Sequence, residues 1–562
     1  MANEISQIPS SNRAECSNDV GSDGSNHPVQ PGSELELTAL DAESPVEGTG
    51  KTRSRLRLTI VLVALDLSLF IAALDQTIIS TAVPTITSNL HSASGYVWIG
   101  GAYLLANAAS GPLWAKFSDI WGRKPILLIS ALIFFVSSII CANAINMKML
   151  IVGRTLQGTG AGGLFQLVMI TISDMFSQRE RNLYMGLLEV MWAIAGSIGP
   201  ILGGVLTEKL SWRWCFWINL PISGSTFILL FFFLDVHSPK TSVKDGLKAV
   251  DWAGSLTILG MTLLLLIGLE FGGATYPWKS PQVLCLTIIG ALLSIAFVFS
   301  EKRLAKYPLM PLRLFKDRSN VACLVYIAAE YYPPLYFQSV KEASPLESGI
   351  LILPITTTQA IVGLLGGIFI HRTGRYLELL YVGSVLMAIG SGIYILFDAN
   401  PSISHILGFQ IAFGLGSGAL FQAPLTAIQA VVSQSDTATA TSTLGFVRNL
   451  AASLSVVIAG VIFQNSMDTR VTSLALPPIN LPANVTALLS HGAAAANVAV
   501  VATIQDPIQK LAVKEAFAGS FRNMWIFYTG ISGLAVVATL FVKRTVLSSI
   551  HVETKTGLQS EQ

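Results

Sequence analysis

Charge is scarce in this 562-residue chain: 12% of its residues are Asp, Glu, Lys or Arg, about half the usual share of a soluble domain. Together with 52% hydrophobic residues, that shortage excludes most soluble folds. The net charge of +2 gives no argument for nucleic acid or an acidic partner. Five cysteines (Cys16, Cys141, Cys215, Cys285, Cys323) are scattered without a pairing pattern, so neither a disulfide framework nor a zinc site is expected. The histidines lie far apart, with no HExxH and no pair one helical turn apart, and no G-x-S-x-G elbow occurs. Metal hydrolysis and serine acyl transfer therefore lack visible parts. Gly48-Thr49-Gly50-Lys51-Thr52 resembles the end of a P-loop, but Pro45 stands at its first glycine position and no strand precedes it. No catalytic residue, metal or cofactor is expected, and a membrane-embedded enzyme is the weakest alternative.

What the chain has instead is long apolar runs. A bilayer core of about 30 Å needs about 20 apolar residues per helix. That rule predicts an all-α polytopic membrane protein of about fourteen spans: 58–83, 97–117, 125–143, 149–173, 183–206, 216–234, 252–272, 283–300, 320–338, 348–370, 377–397, 405–432, 440–464 and 524–542. Span 320–338 is the weakest, being interrupted by Glu330 and Pro333-Pro334. Residues 1–55 read as a disordered cytoplasmic tail without a cleavable signal peptide. Lys51, Arg53, Arg55 and Arg57 precede the first span. Arg123/Lys124, Arg179/Arg181, Lys240/Lys244/Lys248, the cluster from Lys302 to Arg318, and Arg372/Arg375 then fall on the same side. The positive-inside rule places that side and both termini in the cytoplasm.

Two stretches repeat. Gly160-Ala161-Gly162-Gly163-Leu164-Phe165-Gln166 matches Gly416-Ser417-Gly418-Ala419-Leu420-Phe421-Gln422, and Gly122-Arg123-Lys124 is echoed by Gly374-Arg375-Tyr376. The near-equal displacements imply two related six-helix bundles, 56–235 and 320–545, with two inserted helices in 236–300 and a cytoplasmic linker at 301–319. The second bundle would carry an extracellular loop at 466–522 and be followed by a cytoplasmic tail at 546–562. The sequon at Asn484 falls in that loop and is the expected glycosylation site. Parallel repeats of this kind build a midplane cavity that opens alternately to each side.

The segment Leu113 to Lys124 holds a carboxylate, a glycine turn and two cations, a set able to pin a cytoplasmic loop against a helix end. It resembles motif A of the major facilitator superfamily: Asp119, Gly122 and Arg123 match, while Ala115 and Phe117 depart from it. In the second half His371 stands where Asp119 does. Arg154-Thr155-Leu156-Gln157-Gly158-Thr159-Gly160 is similar to motif B. Gly196-Ser197-Ile198-Gly199-Pro200-Ile201-Leu202-Gly203-Gly204 resembles motif C of the antiporter branches, with Ala195 in place of the leading glycine. Physically, Gly199 and Gly203 admit a neighbouring helix, and Pro200 frees a carbonyl and can bend its span. Leu74 to Pro84 and Trp212 to Pro221 resemble segments of fourteen-span drug:proton antiporters, and the whole is similar to the fungal branch that exports toxins and secondary metabolites.

An ionisable residue inside a membrane is a functional candidate by default. Asp75 and Arg154 lie at similar depths in spans 1 and 4 and are the candidates for proton coupling, with a permanent ion pair as the plainer reading. Asp119, Gly122, Arg123, Arg181 and Glu189 are candidates for gating, Glu189 through a contact with Arg123 or Arg181. Asp174 suits a loop ion pair with Arg179 or Arg181, and Arg448 reads as a solvated or snorkelling cation. Phe165, Gln166, Phe421, Gln422, Trp192 and Asn107 are candidates for substrate contact, since amides beside aromatics suit an amphipathic organic molecule; interhelical hydrogen bonding is the plainer reading of the glutamines. The resemblance implies a monomeric proton-coupled exporter of hydrophobic small molecules in the plasma membrane, with the vacuolar membrane as alternative. An importer of a chelate such as a siderophore on the same fold is the first rival.

Overall fold

A computed structural model describes residues 55–90, 95–237, 239, 241–272, 276–304, 308–311, 314, 332–490, 494–495, 497–498, 500–549 and 556–557. The tail up to residue 54 and the span expected at 320–338, as far as residue 331, lie outside the described residues. Among the described residues the chain is helical throughout, without a named strand. Lipid forces this outcome, because a helix satisfies its own backbone polar groups where no water can. Nine of the described helices are long and apolar enough to cross a membrane. They are apolar on nearly every face: Leu132 and Val136 on one helix and Leu292, Ile295 and Phe299 on another are exposed on the protein surface, where acyl chains would cover them.

The first bundle comprises α1 (Arg55–Asn89), α2 (Gly95–Trp121), α3 (Arg123–Ala142), α4 (Met147–Met175), α5 (Glu180–Lys209), α6 (Trp214–Trp217) and α7 (Asn219–Phe233). After the short α8 (Val243–Ala249), the inserted pair α9 (Trp252–Phe271) and α10 (Pro281–Arg303) pack on each other. The second bundle has α11 (Pro333–Val340), α12 (Pro345–Thr373), α13 (Leu377–Ile393), α14 (Ile403–Val431), α15 (Thr437–Leu474), the short α16 (Ala483–Leu489) and α17 (Val500–Thr503), and α18 (Pro507–Thr539). The repeated stretch sits on α4 and α14, each 29 residues long and displaced by 256 residues at both ends.

In the first bundle α4 packs on α2 and α3, and α1 on α5 and α7; in the second α14 packs on α12 and α13, and α15 on α18. The bundles meet along α5 with α12 and α2 with α15, while α9 leans on both α2 and α15. Hydrogen bonds between the bundles run from Thr426 Oγ1 to Asn182 Oδ1 at 2.5 Å and from Gln429 Nε2 to Ser173 Oγ at 3.1 Å. These groups lie toward the end of α4, the start of α5 and the end of α14, the side on which Arg179 and Arg181 stand.

Two connecting segments differ from expectation. Helix α1 continues to Asn89, and α15 and α18 extend through much of the stretch read as a loop at 466–522. The connection is therefore 475–506, and it is packed: Leu481, Leu489, Val501 and Ile504 are buried. Lys510 and Lys514 of α18 hold Glu342, whose backbone has φ 56, at 2.8 and 2.7 Å. The segment after α18 is docked as well. Tyr376 donates to the Lys543 carbonyl at 2.7 Å, Arg179 Nε to the Leu547 carbonyl at 3.1 Å, and the Ser548 amide to Gln178 Oε1 at 3.1 Å. Leu547 of this strap is buried, and the Gly557 amide donates to the Asp119 carbonyl at 2.8 Å.

Candidate functional site

Asp75 lies in α1 with its side chain wholly shielded from solvent, a position a carboxylate holds only if its charge and lone pairs are matched. Arg154 Nη1 of α4 donates to Asp75 Oδ2 at 2.5 Å. Asn219 Nδ2 of α7 and Gln157 Nε2 of α4 donate to Asp75 Oδ1 at 2.6 and 2.8 Å. Arg154 is held from three further directions. It donates to the Ile99 carbonyl at 3.0 Å and to Gln157 Oε1 at 2.9 Å, and its guanidinium lies 4.4 Å from the centre of the Tyr103 ring. Ser138 of α3 accepts from Gln157 Nε2 at 2.9 Å. One acid thus gathers side chains from α1, α3, α4 and α7.

The structure brings together Asp75 and Arg154, the two residues singled out for proton coupling. Sequence reasoning missed Gln157, Asn219 and Ser138. The signal for Gln157 was its place one turn after Arg154, on the same helix face. Asn219 lies within the segment from Trp212 to Pro221 and arrives at Asp75 only through the tertiary fold.

At the other end of the first bundle a single residue, Gly122, joins α2 to α3 with φ 94, a conformation that favours glycine. The tight turn puts Arg123 back under α2. Its Nη1 donates to Asp119 Oδ1 at 2.5 Å and to Ser118 Oγ at 2.6 Å, and its Nε to Asp174 Oδ2 of α4 at 2.6 Å. Arg123 is thus the hydrogen-bonded partner of Asp174, because the turn delivers it to the end of α4, while Arg181 feels the same carboxylate only through its charge. Glu189 pairs with neither Arg123 nor Arg181; it lies against Gly363 of α12, across the seam between the bundles. Arg181 is buried at the start of α5, and its Nε and Nη2 have no hydrogen-bond partner among the described residues.

Gly199 and Gly203 lie where α5 crosses α1. A Cβ on Gly199 would stand 2.1 Å from Thr77 Oγ1, and one on Gly203 2.0 Å from the Ile78 carbonyl. The close approach lets Thr77 and Thr81 donate to the Ala195 and Pro200 carbonyls at 3.0 and 3.2 Å. Gly204 faces open space and takes no part in the contact.

The candidates for substrate contact divide by burial. Gln166 and Gln422 are buried, Gln166 between Gly111 and Gly445 of α15, and Gln422 beside Gly186 and Gly367. Gln422 donates to the Gly363 carbonyl at 3.4 Å; Gln166 Oε1 accepts no hydrogen bond among the described residues. Both amides therefore sit where helices of the two bundles touch. Phe165, Trp192, Phe421 and Asn107 are half-buried. The Phe165 and Trp192 rings are 5.2 Å apart, and Phe421 lies under the Arg448 guanidinium at 4.6 Å. Arg448 was read as a snorkelling residue; it turns to this aromatic face instead. Asn484 is exposed on α16. Among the described residues no group of His, Cys, Asp and Glu could hold a metal ion.

The Major Facilitator Superfamily model matches residues 65–456. Efflux pump dotC of Dothistroma septosporum is 42% identical over 514 residues, which are 90% of this chain and 87% of that relative. MFS-type transporter ppz2 of Metarhizium majus is 42% identical over 534 residues, 94% of this chain and 91% of the relative. Efflux pump FUS6 of Gibberella fujikuroi is 36% identical over 547 residues, 95% and 96% respectively. The solved structure of the proton:xylose symporter XylE bound to 6-bromo-6-deoxy-D-glucose shares the fold with a TM-score of 0.54 at 14% identity, covering 87% of this chain and 98% of that one. With the family matched over most of its length and fungal efflux pumps among its relatives, this chain is an integral membrane transporter, not an enzyme, and belongs to the major facilitator superfamily.

Proposed function

We propose that this transporter exports hydrophobic, amphipathic small molecules such as toxins or secondary metabolites from the cytoplasm in exchange for protons, by alternating access. The observation that carries the reading is the wholly buried Asp75 with its partners on α4 and α7, one of them braced in turn by Ser138 of α3. A group that exchanges a proton inside a membrane must be stable in both charge states. When Asp75 takes up a proton, Arg154 keeps the Ile99 carbonyl, Gln157 Oε1 and the Tyr103 ring, so its charge is not stranded. The anchor residues Asn219 and Gln157 lie on α7 and α4, so a change of charge at Asp75 is felt across the bundle.

By the positive-inside rule the arginine-rich end faces the cytoplasm, and the bundles touch there. This arrangement supports a state closed inward and ready to open outward, with Asp119, Gly122, Arg123, Glu189 and Arg181 as gating residues. The Gly199, Pro200 and Gly203 crossing fixes α5 to α1 during the rocking. Phe165, Trp192 and Phe421 offer aromatic faces to the cargo. Asn484 then lies outside and is a glycan acceptor. The relatives named efflux pumps support the outward direction. A proton crossing 100 mV releases about 2.3 kcal/mol and two pH units add about 2.7, enough for a substrate gradient of roughly a few thousandfold. We assign the protein to the plasma membrane, acting as a monomer.

The test is accumulation of lipophilic dyes and fungal metabolites in yeast lacking its own pumps. Cells with the intact protein should accumulate less, and both a protonophore and Asp75→Asn should abolish the difference. Reduced accumulation that survives Asp75→Asn discards the proton site, and raised accumulation favours an importer.

A further inference from the structure

We infer that Arg448 is the anchor for an acidic group on the cargo, so that the preferred substrates are amphipathic molecules carrying a carboxylate or comparable anion beside an apolar body. The inference rests on the exporter reading above and names the substrate class of that same region.

Arg448 lies 11 residues into α15, about 16 Å from its start at 1.5 Å per residue, and Phe421 lies 10 residues before the end of α14, about 15 Å deep. A cation at such depth usually turns its head toward the nearer water. Arg448 does not: its guanidinium lies over the Phe421 ring, 4.6 Å from the centre. An aromatic face attracts the charge but accepts none of the five in-plane N–H groups, whose fork geometry matches a carboxylate. Among the described residues no side chain or carbonyl accepts a hydrogen bond from Arg448 and no acid pairs with it. The comparison with Arg154 is direct. That arginine, also inside the bundle, is supplied with Asp75, Gln157 and the Ile99 carbonyl. The fold saturates one intramembrane arginine and leaves the other with open donors.

The surroundings suit an amphipathic acid. Arg448 follows Gly445 by one turn and Thr441 by two, so all three share a helix face. Gly445 abuts Gln166 of α4, and Thr441 accepts from Gln429 of α14 at 2.8 Å. Arg448 therefore looks between the two repeat helices, one from each bundle. The half-buried Phe165 and Trp192 lie at a similar depth on α4 and α5 and offer an apolar surface. Glu189, of opposite sign and similar depth, is turned to Gly363 of α12. Charge bookkeeping agrees with this choice. Across a membrane negative inside, an anion leaving and a proton entering move charge in the same favourable sense.

The experiment uses 1-pyrenebutyrate and its neutral methylamide, which share one apolar body. Binding to the purified full chain in detergent is read by energy transfer from tryptophan to pyrene, which needs no transport. The intact protein should bind the acid at least tenfold more tightly than the amide. Arg448→Gln should bring the two within twofold by weakening the acid alone, and Arg448→Lys should keep part of the preference. Equal affinities in the intact protein, a comparison that depends on no variant, would overturn the inference. A preference that survives Arg448→Gln would overturn it too. Export from energised vesicles is measured in parallel. Binding of the acid with movement of neither compound would refute the exporter reading while leaving the anchor in place.

Discussion

Gly122-Arg123 and Gly374-Arg375 occupy equivalent turns in the two repeats, and both glycines have positive φ. The arginines that follow them have opposite fates. Arg123 is 2% exposed and bound to two carboxylates, whereas Arg375 is 60% exposed and among the described residues pairs with Glu378 alone, at 3.9 Å. The same contrast recurs inside the bundles. Gln410 of α14 stands at the position of Arg154 and donates to the Leu351 carbonyl. Around it the second bundle has rings instead of ions: Phe413 stacks on Tyr394 at 5.2 Å, and Tyr336, Phe397 and Trp525 surround them. One repeat has kept buried charge and the other has replaced it with aromatic packing. Buried charge responds to a proton and packed rings do not, which is why the proposed coupling is placed in the first bundle.

The largest break in that comparison comes from removing Arg154. Arg154→Leu leaves Asp75 buried and unpaired and should cost about 3–5 kcal/mol, whereas Gln410→Leu should cost about 1 kcal/mol. Thermal melts of the purified proteins in detergent give both. Adding Asp75→Asn to Arg154→Leu should recover part of the loss, because the stranded charge is gone; no recovery would mean that packing, not charge, holds the site. Next come the turns. Arg123→Ala strands Asp119 and Asp174 and should lower stability by about 3 kcal/mol, against less than about 1 kcal/mol for the exposed Arg375→Ala.

The helix crossings sharpen the contrast at smaller magnitude. Gly203→Ala forces a methyl group against the Ile78 carbonyl and should cost about 2 kcal/mol. On α15, the corresponding helix of the second bundle, a Cβ on Gly460 would stand 2.8 Å from the Tyr332 hydroxyl, a looser contact than the 2.0 Å at Gly203, and Gly460→Ala should cost less. The smallest effect belongs to the connection between α11 and α12. Burial raises the Glu342 carboxyl, but hydrogen bonds and charge from Lys510 and Lys514 outweigh it and hold it below its ordinary 4.5. A depressed carboxylate stabilises the fold above pH 4.5 and loses that contribution as pH falls through its folded value. Partial solvent access to the acid and its two lysines limits the gain to about 1 kcal/mol or less. Melting temperature against pH should therefore drop less in Lys514→Ala than in the intact protein on acidification below 4.5.

Much of this was legible in the chain. Apolar runs locate the helices because lipid leaves the backbone no alternative, and the repeat at residues 160–166 and 416–422 locates two helices of equal length. Asp75 and Arg154 stood out because ionised groups are rare within apolar runs. Their amide partners did not, since Gln157 and Asn219 look like ordinary polar residues until the fold brings α4 and α7 to α1. The tightest partner of Asp174 was missed for a related reason: nearness in sequence points to Arg179 and Arg181, while a one-residue turn delivers Arg123 from 51 residues away. The direction of Arg448 could not be read at all, because depth alone does not say whether a long side chain reaches for water or for a ring.

The strap after α18 has a consequence for how the molecule is made. Its contacts reach back to Gln178 and Arg179, between α4 and α5, and to Tyr376 at the start of α13. A ribosome reaches residues 543–548 only after every helix from α1 to α18 has been synthesised. The tie across the arginine-rich end therefore forms last, and a nascent chain carries both bundles in the membrane before anything from beyond α18 binds them together on that side.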